Sequence, residues 1–406
     1  MKYDFDTIIN RRRTGSLKWD VAENELPMWV ADMDFQCAPE IMEAMKERIQ
    51  QKVFGYNIIP DGWYEAYRNW WRMRHGIEID RDWLVFCTGI VPAISSTVRK
   101  LVTPNENVVI LTPVYNVFYN SIINNGARVL ESPLIYDNGE YDIDWIDLEK
   151  KLADPQTALM IFCNPHNPVG RIWDRETLAR VGSLCARYHV TVVSDEIHCD
   201  ITRPGISYVP FISASEECMK NTVMCVAPTK AFNIAGMQSA AVVVPDPFLR
   251  HKIWRALNTD EVAEPNTFAC AVAEAAFNRC GEWLDELREY VFENRRIAEE
   301  YIRDNIPGIN AVKGDATYLM WLDARELEKA LSEKGVLSCP DENDPEPESE
   351  GVAGFIRMKT GLFLTSGSFY GSSGKGFMRM NIACPRTLLA DGLKRLEKSV
   401  KETDNI

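Results

Sequence analysis

The sequence predicts an α/β protein in which a mostly parallel seven-stranded sheet is flanked by helices, with a smaller α+β domain beside it. From about residue 82, short β-branched runs alternate with longer amphipathic stretches, which is typical of such a sheet. Beyond about residue 280 the pattern changes to long charged helical segments and short strands. The length of 406 residues fits one large and one small domain.

Seven apolar runs are the candidate strands of the large sheet. In chain order they read DWLVFCTG, NVVILTP, ARVLESPL, TALMIFCNP, VTVVSDE, TVMCVAPT and SAAVVVP. Between the fourth and the fifth, DRETLARVGSLCARYH has apolar residues at helical spacing after Asp174, which is a favourable N-cap residue. This alternation of strand and helix is the basis of the predicted fold class.

We expect the large domain to span residues 45–285 and the small domain to combine residues 1–44 with 286–406. The segment EWLDELREYVFENRRIAEEYIRDN predicts a long helix, and ATYLMWLD predicts a short strand of the small domain. The acidic segment 341–351, DENDPEPESEG, has no apolar period and predicts a solvated loop.

Composition excludes several classes of function. With 46% hydrophobic and 26% charged residues, the chain has no apolar stretch that approaches the length of a membrane span. A net charge of -14 disfavours binding to nucleic acid and to anionic membranes. The first residues lack the apolar centre of a secretion signal, so a cytoplasmic protein is expected. The eleven cysteines show no metal-ligand spacing, and we expect reduced, buried thiols and no metal, with examples at Cys87, Cys163 and Cys225.

Polar residues gather at four predicted strand ends, where ligands bind in open parallel sheets. These ends read CTGIVPA, CNPHNPVG, SDEIHCD and APTK. In a partly dry site, Lys230 could form a Schiff base with an aldehyde, and Asp195 could keep a pyridinium nitrogen charged. Each residue also has a simpler interpretation: Lys230 as a solvated lysine at a strand end, and Asp195 as a carboxylate that caps a helix or turn.

The order of these residues resembles the pyridoxal-phosphate enzymes of the aspartate-aminotransferase fold, or fold type I. In that family an Asn in N-P-x-G, an Asp in D-E and a Schiff-base Lys follow one another, as Asn167, Asp195 and Lys230 do here at separations of 28 and 35 residues. The resemblance is closer to the cystathionine β-lyase-like carbon–sulfur lyases, which include cystalysin. It is carried over nearly the whole chain by LPMWVADMDF, CNPHNPVGRIW, SDEIHCD, KAFNIAGMQ and RMNIACPR.

The resemblance implies pyridoxal 5'-phosphate as cofactor and a role for each matching residue. Lys230 would carry the cofactor and, once substrate displaces it, would take the Cα proton. Asp195 would keep the pyridine nitrogen protonated, and Asn167 would hydrogen-bond the phenolic oxygen. His198 stands where many aminotransferases have Tyr; it would approach the same region or simply pack.

Aromatic and backbone groups complete the implied cofactor site. Tyr115 would stack on the ring, with Tyr119 one helical turn later as the competing choice. The phosphate would be bound by the Thr229 hydroxyl and by backbone N–H groups at a helix start, namely those of Ile90 and Val91 after Gly89.

Tyr56 in FGYNIIPDGW resembles a tyrosine that these enzymes lend to the phosphate of the neighbouring subunit. The match implies a homodimer whose catalytic sites are shared between subunits, with Tyr56 among the catalytic residues. A simpler interpretation is an aromatic residue that anchors its own loop.

Arg379 in FMRMNIACPR would bind the substrate α-carboxylate, because a guanidinium binds two oxygens in one plane. Arg386 is the weaker candidate. The segment SGSFYGSSGKG fits neither a Walker loop nor a dinucleotide fingerprint, and we interpret it as a mobile loop before the Arg379 strand. Gln238 stands where many aminotransferases have a phosphate-binding Arg, and Ala227 where they often have Ser; the glutamine is characteristic of the lyase branch.

The activity that the resemblance implies is α,β-elimination from an amino acid that carries sulfur on Cβ, to give pyruvate, ammonia and a thiol. Cystathionine, cystine and other cysteine S-conjugates would all serve as substrates. Transamination by the same residues is the alternative. A third hypothesis is a protein that binds a transcription regulator, a role that some members of the branch combine with lyase activity.

Overall fold

The computed structural model describes residues 1–337 and 351–401. Its strands are β1 (Leu26–Pro27), β2 (Leu84–Cys87), β3 (Asn107–Thr112), β4 (Arg128–Pro133), β5 (Ile135–Asp137), β6 (Glu140–Asp142), β7 (Thr157–Cys163), β8 (Thr191–Asp195), β9 (Thr222–Val226), β10 (Ala240–Val243), β11 (Asn310–Ala311), β12 (Leu319–Asp323), β13 (Leu362–Phe363), β14 (Thr365–Ser366) and β15 (Phe377–Asn381). Its helices are α1 (Pro39–Gln50), α2 (Asp61–His75), α3 (Ile90–Leu101), α4 (Val117–Ile123), α5 (Trp145–Leu152), α6 (Arg175–Arg187), α7 (Glu216–Lys220), α8 (Pro247–Thr259), α9 (Ala269–Arg279), α10 (Gly281–Asn305), α11 (Arg325–Glu333), α12 (Gly351–Thr360) and α13 (Arg386–Lys401).

The largest sheet consists of the seven predicted strands, in the spatial order β2-β10-β9-β8-β7-β3-β4. All neighbours pair in parallel except β10, which is antiparallel to both β9 and β2. Both faces of the sheet are covered: Val108 and Ile110 of β3 pack into one apolar cluster, and Val109 and Leu111 into another. Burial on both faces explains why the strands are continuous apolar runs, and the predicted fold class is confirmed.

The helix predicted after Asp174 is α6. It starts at Arg175, and the Asp174 carboxylate accepts a hydrogen bond from the backbone N–H of Thr177 at 2.8 Å. This contact satisfies one of the N–H groups that have no acceptor within the first turn of a helix. The capping prediction made from the sequence is therefore confirmed.

A second sheet has the order β11-β12-β15-β14 and is antiparallel throughout. Helices α10 and α13 pack against each other, and α12 packs on α13. The predicted boundaries of the domains fall within α1 and α10, and the division into 45–285 and 1–44 with 286–406 remains a prediction. Of the acidic segment 341–351, residues 341–350 lie outside the described residues, and Gly351 begins α12.

Across residues 1–337 and 351–401, none of the helices combines the length and apolarity needed to cross a bilayer. The cysteines in these residues are free thiols, and all of them except Cys37 are buried. Burial raises the pKa of the Cys87 thiol to about 11. These thiols are therefore protonated and weakly reactive at neutral pH.

Candidate active site

The carboxyl ends of β7, β8 and β9 lie side by side, as the sequence predicts. Cys163 is aligned with Asp195, and Asp195 with Cys225, in the parallel register of these strands. The loops that carry Asn167 and Lys230 start within a few residues of these positions. Asn167, Asp195 and Lys230 therefore meet at one edge of the sheet.

Lys230 lies in a turn after β9, and its side chain is only partly exposed. The amine donates a hydrogen bond to the carbonyl oxygen of Ala31 at 2.5 Å. Burial, followed by the charge of Arg379, lowers the pKa of Lys230 to about 8, while the negative charges of Asp32 and Asp195 oppose this change. Such an amine loses its proton far more readily than a solvated lysine at a strand end.

Asp195 is buried, and one carboxylate oxygen accepts a hydrogen bond from the backbone N–H of Ile197 at 3.1 Å. Burial raises the pKa of Asp195 to about 6, although this bond and the charge of Lys230 act in the opposite direction. Within the described residues no cation lies close enough to form an ion pair with it. A buried carboxylate that has no ion-pair partner is stabilised by a cationic hydrogen-bond donor, such as a pyridinium N–H.

Arg379 on β15 reaches the same edge. Its guanidinium donates to the carbonyl oxygen of Trp29 at 2.9 Å and to Asn167 Oδ1 at 3.3 Å, and its Nε is buried without a hydrogen-bond partner. Among the described carboxylates none pairs with it, which leaves its charge for an anionic ligand. Arg386 lies elsewhere, because its guanidinium sits 4.4 Å from the centre of the Tyr290 ring.

His198 is buried beside these groups. Burial, then the charges of Lys230 and Arg379, lower the pKa of His198 to about 3, so the imidazole is neutral. Its Nδ1 has no hydrogen-bond partner in the structure. The imidazole therefore faces the two cations of the site instead of packing in the apolar core alone.

Tyr115 also lies at this edge, since the charges of Arg379 and Asp195 act on its hydroxyl. Tyr119 points away: its hydroxyl donates to Glu131 at 2.9 Å. Of the two tyrosines that the sequence offers, the structure brings Tyr115 to the cluster.

The predicted phosphate site lies at the start of α3. Gly89 is the N-cap residue in an extended conformation, and the N–H groups of Ile90 and Val91 lie in the first helical turn, where no acceptor within the helix is available to them. The following Pro92 has no N–H. Thr229, next to Lys230, makes no side-chain hydrogen bond to a described residue.

Gln238 is exposed and adopts a left-handed conformation, with φ 52°, just before β10. Because Ala240 of β10 is aligned with Cys87 of β2, Gln238 lies at the edge where α3 begins. Ala227 is buried at the end of β9. Neither residue adds a positive charge to the predicted phosphate site.

Tyr56 is fully exposed in the segment between α1 and α2. The structure therefore does not bring it to the site of its own chain. Its neighbours in this segment are apolar and exposed as well, namely Val53, Phe54 and Ile58.

Sequence reasoning missed the use of residues 28–35, which we call the N-terminal strap. The segment lies within the motif LPMWVADMDF, but no role followed from that motif. In the structure the carbonyl oxygen of Trp29 accepts from Arg379, and that of Ala31 accepts from Lys230 and, at 3.0 Å, from the hydroxyl of Tyr318. Any residue type supplies a backbone carbonyl, so the sequence contains no signal for these contacts.

A second polar cluster lies behind the site. His75, Cys199 and Asp200 place potential ligand atoms within 4.8 Å of one another. The Asp200 carboxylate already accepts from the Trp70 indole at 3.1 Å and contacts His75 Nε2 at 3.0 Å. These hydrogen bonds account for the cluster without an ion.

The arrangement at the sheet edge fits pyridoxal 5'-phosphate. A buried carboxylate without a cation, an amine of lowered pKa and the unsatisfied N–H groups of a helix start match the pyridine nitrogen, the aldehyde and the phosphate of this molecule. The unpaired guanidinium of Arg379 matches an amino-acid carboxylate.

Comparison with known proteins identifies the class: the chain belongs to the aminotransferase class I and II family, whose model matches residues 24–396. It is 39% identical over 403 residues to the cystathionine β-lyase PatB of Bacillus subtilis, which covers 98% of this chain and 100% of that protein. The structure of cystalysin from Treponema denticola, which contains pyridoxal 5'-phosphate, superposes with a TM-score of 0.90 at 32% identity, over 99% of this chain and 100% of that one.

A carbon–sulfur lyase from Staphylococcus hominis in its pyridoxal-phosphate-bound form superposes with a TM-score of 0.89 at 31% identity, over 98% of this chain and 99% of that one. The family resemblance and the fold predicted from the sequence are thus confirmed.

Proposed function

We propose that this protein is a pyridoxal-phosphate-dependent carbon–sulfur β-lyase that acts on amino acids with sulfur on Cβ. The observation that carries the proposal is the charge pattern at the sheet edge. Lys230 lies near both the buried Asp195 and Arg379, and none of the three forms an ion pair with a described residue; this arrangement is suited to an anionic cofactor and an amino-acid carboxylate. The names of the similar proteins, cystathionine β-lyase and carbon–sulfur lyase, support sulfur as the leaving group.

Each residue of the cluster has one task in this proposal. Asp195 holds the pyridine nitrogen, Asn167 and His198 lie toward the phenolic oxygen, and Tyr115 covers the ring. The helix start with Ile90 holds the phosphate, together with the hydroxyl of Thr229. When bound, pyridoxal phosphate withdraws the electron pair left at Cα after proton removal.

The reaction then follows from Arg379 and Lys230. Arg379 binds the substrate carboxylate, and Lys230 as a neutral amine takes the Cα proton. The Cβ–S bond breaks with its electron pair on sulfur, and the thiolate receives a proton to leave as a thiol. Water hydrolyses the released 2-aminoacrylate to pyruvate and ammonium, so that all atoms of substrate and water are accounted for.

A product assay tests the proposal. The purified holoenzyme is incubated with cystathionine or another thioether conjugate of cysteine, with no keto acid added, and pyruvate and free thiol are measured. We expect both products in equal amounts. Turnover that requires an added keto acid and releases no thiol would instead identify an aminotransferase, and the lyase proposal would fail.

We further propose a homodimer in which Tyr56 serves the site of the neighbouring subunit. The exposed apolar side chains around Tyr56 support this, because a protein–protein interface would remove them from water. Two inactive variants, Lys230→Ala and Tyr56→Ala, are unfolded and refolded together. In a mixed dimer one site has both native residues, so activity returns; if Tyr56 acts within its own chain, mixing restores none.

We place the protein in the cytoplasm. The cysteines of the described residues are free, as expected where thiols are kept reduced. Fractionation of the source cells, with the enzyme assayed in each fraction, tests this placement.

A further inference from the structure

The carbonyl oxygen of Ala31 receives two hydrogen bonds from opposite parts of the molecule. One comes from the amine of Lys230 at 2.5 Å, and the other from the hydroxyl of Tyr318 at 3.0 Å. The two lone pairs of this oxygen are thereby both used. Tyr318 is thus linked to the amine through one shared acceptor atom.

The shared oxygen is held in place by the rest of the N-terminal strap. The side-chain amide of Asn381 donates to the carbonyl oxygens on both sides of Ala31, those of Val30 and Asp32, at 2.6 Å each. Asn233 bonds both the N–H and the carbonyl of Met33 at 3.0 Å. Ala31 is therefore fixed and does not follow a movement of the Lys230 side chain.

Tyr318 is equally fixed. It lies directly before β12, is fully buried, and its ring approaches His198 edge-on with 6.1 Å between ring centres. Burial raises the pKa of its hydroxyl, which therefore stays neutral and can act as a donor at neutral pH.

We propose that Tyr318 is a positioning residue for proton transfer by Lys230: its hydroxyl donates to the Ala31 carbonyl oxygen and so limits how strongly that oxygen holds the amine. The proposal rests on the proposed function, in which Lys230 takes the Cα proton. A carbonyl oxygen that accepts from a neutral hydroxyl has less electron density for an ammonium group, so the hydroxyl favours the neutral amine.

Other groups act on the amine from every side, and a test must leave them unchanged. They lie after β8, on the N-terminal strap and on β15: Asp195, His198, Asp32 and Arg379. Replacing Tyr318 by phenylalanine removes one oxygen atom and no charge, and opens no cavity larger than that atom. Any change in the titration of Lys230 is then attributable to the lost hydroxyl.

The test compares kcat as a function of pH for the wild-type holoenzyme and Tyr318→Phe, with cystathionine as substrate. Without the hydroxyl, the Ala31 oxygen holds the protonated amine more strongly, so we expect the acid limb of kcat to move to higher pH. At pH 7 kcat falls several-fold, at high pH the two enzymes converge, and KM stays within about two-fold, because the carboxylate site at Arg379 is intact.

Tyr141→Phe is the matched control. Tyr141 is also buried, and its hydroxyl accepts from the Trp321 indole at 3.1 Å, in a different apolar cluster from that of Tyr318. We expect it to lower Tm without moving the pH profile. The inference is overturned if Tyr318→Phe has the wild-type profile, loses activity equally at all pH values, or shifts to lower pH. Failure of the proposed function is seen separately, as a wild-type enzyme that releases no thiol.

Discussion

The carboxyl edge of the large sheet and the N-terminal strap contribute to the same site in opposite ways. The edge supplies side chains, such as those of Asp195 and Lys230, whereas the strap supplies backbone oxygens, such as those of Trp29 and Ala31. The residue types reveal which side-chain groups a site can use. They do not reveal the contacts of backbone carbonyl oxygens, which depend only on the path of the chain. The side-chain part of such a site can therefore be predicted from the sequence, and the backbone part cannot.

The two regions also treat charge differently. In the strap, Asp34 is surrounded by cations: Lys18 Nζ and Arg11 Nη1 each lie 2.7 Å from its carboxylate, and these charges lower the pKa of Asp34 although burial opposes them. At the sheet edge, burial dominates over the weaker pairing: it raises the pKa of Asp195 and lowers that of Lys230, which favours the neutral form of each group. The paired charges hold the strap in place, and the unpaired charges remain available to ligands.

The strongest test of this contrast is Lys230→Ala. If the unpaired charges perform the chemistry, kcat falls by about 10²–10⁴-fold or more, because the general base and the covalent anchor are both lost. The product assay measures this loss. Lys220→Ala, in the exposed helix α7 before the other end of β9, is the control and should retain full activity. Retained activity in Lys230→Ala would show that the reactive amine lies elsewhere.

The next largest effect is expected in the strap. Asp34→Asn keeps the shape of the side chain but leaves the buried Lys18 with only the more distant carboxylate of Asp32, 3.7 Å away, and this costs about 3–5 kcal/mol in the free energy of unfolding. Urea denaturation measures the change. Glu23→Gln breaks an exposed pair with Arg13 and should cost less than about 1 kcal/mol. Equal changes in the two variants would mean that the strap charges are solvated like those of the surface.

Arg379→Lys tests the unpaired guanidinium. A lysine keeps the charge but cannot bind both oxygens of a carboxylate in one plane, so kcat/KM should fall by about 10–100-fold, mostly through a higher KM. Steady-state kinetics with cystathionine measure kcat and KM of this variant. Arg386→Lys lies outside the cluster and is expected to leave KM unchanged. An unchanged KM in Arg379→Lys would remove this residue from substrate binding.

Particular residues show how far sequence reasoning reached. The seven strands and the Asp174 cap were predictable, because strands buried on both faces are continuous apolar runs and because aspartate is a favoured N-cap residue. The meeting of Asp195 with Lys230 followed from parallel strands ending at one edge. The proposed role of Tyr318 was not predictable, since its hydroxyl donates to the carbonyl oxygen of Ala31, 287 positions away in the chain.

The carboxyl edge also holds a buried titratable group that neither the ligands nor the N-terminal strap accounts for. Glu196 follows Asp195 and is fully buried; one of its oxygens accepts from Ser194 Oγ at 2.7 Å and from the Phe211 N–H at 3.0 Å. Its other oxygen and the side-chain oxygen of Asn164 are buried acceptors without donors. Burial raises the pKa of Glu196 to about 8, so the carboxyl is protonated at neutral pH.

This raised pKa fixes the sign of a pH effect on stability. Between pH 6 and 8 the folded state keeps a proton on Glu196 that the unfolded state has lost, so the free energy of unfolding falls as pH rises, by about 1.4 kcal/mol per pH unit at most. Glu196→Gln needs no proton, and its amide can donate to Asn164. We expect the variant to lack this slope and to match the wild type only below about pH 4.5, where the carboxyl group is protonated in the unfolded state as well, as measured by urea denaturation at several pH values. A wild-type slope that survives the substitution would show that the titrating group is not Glu196.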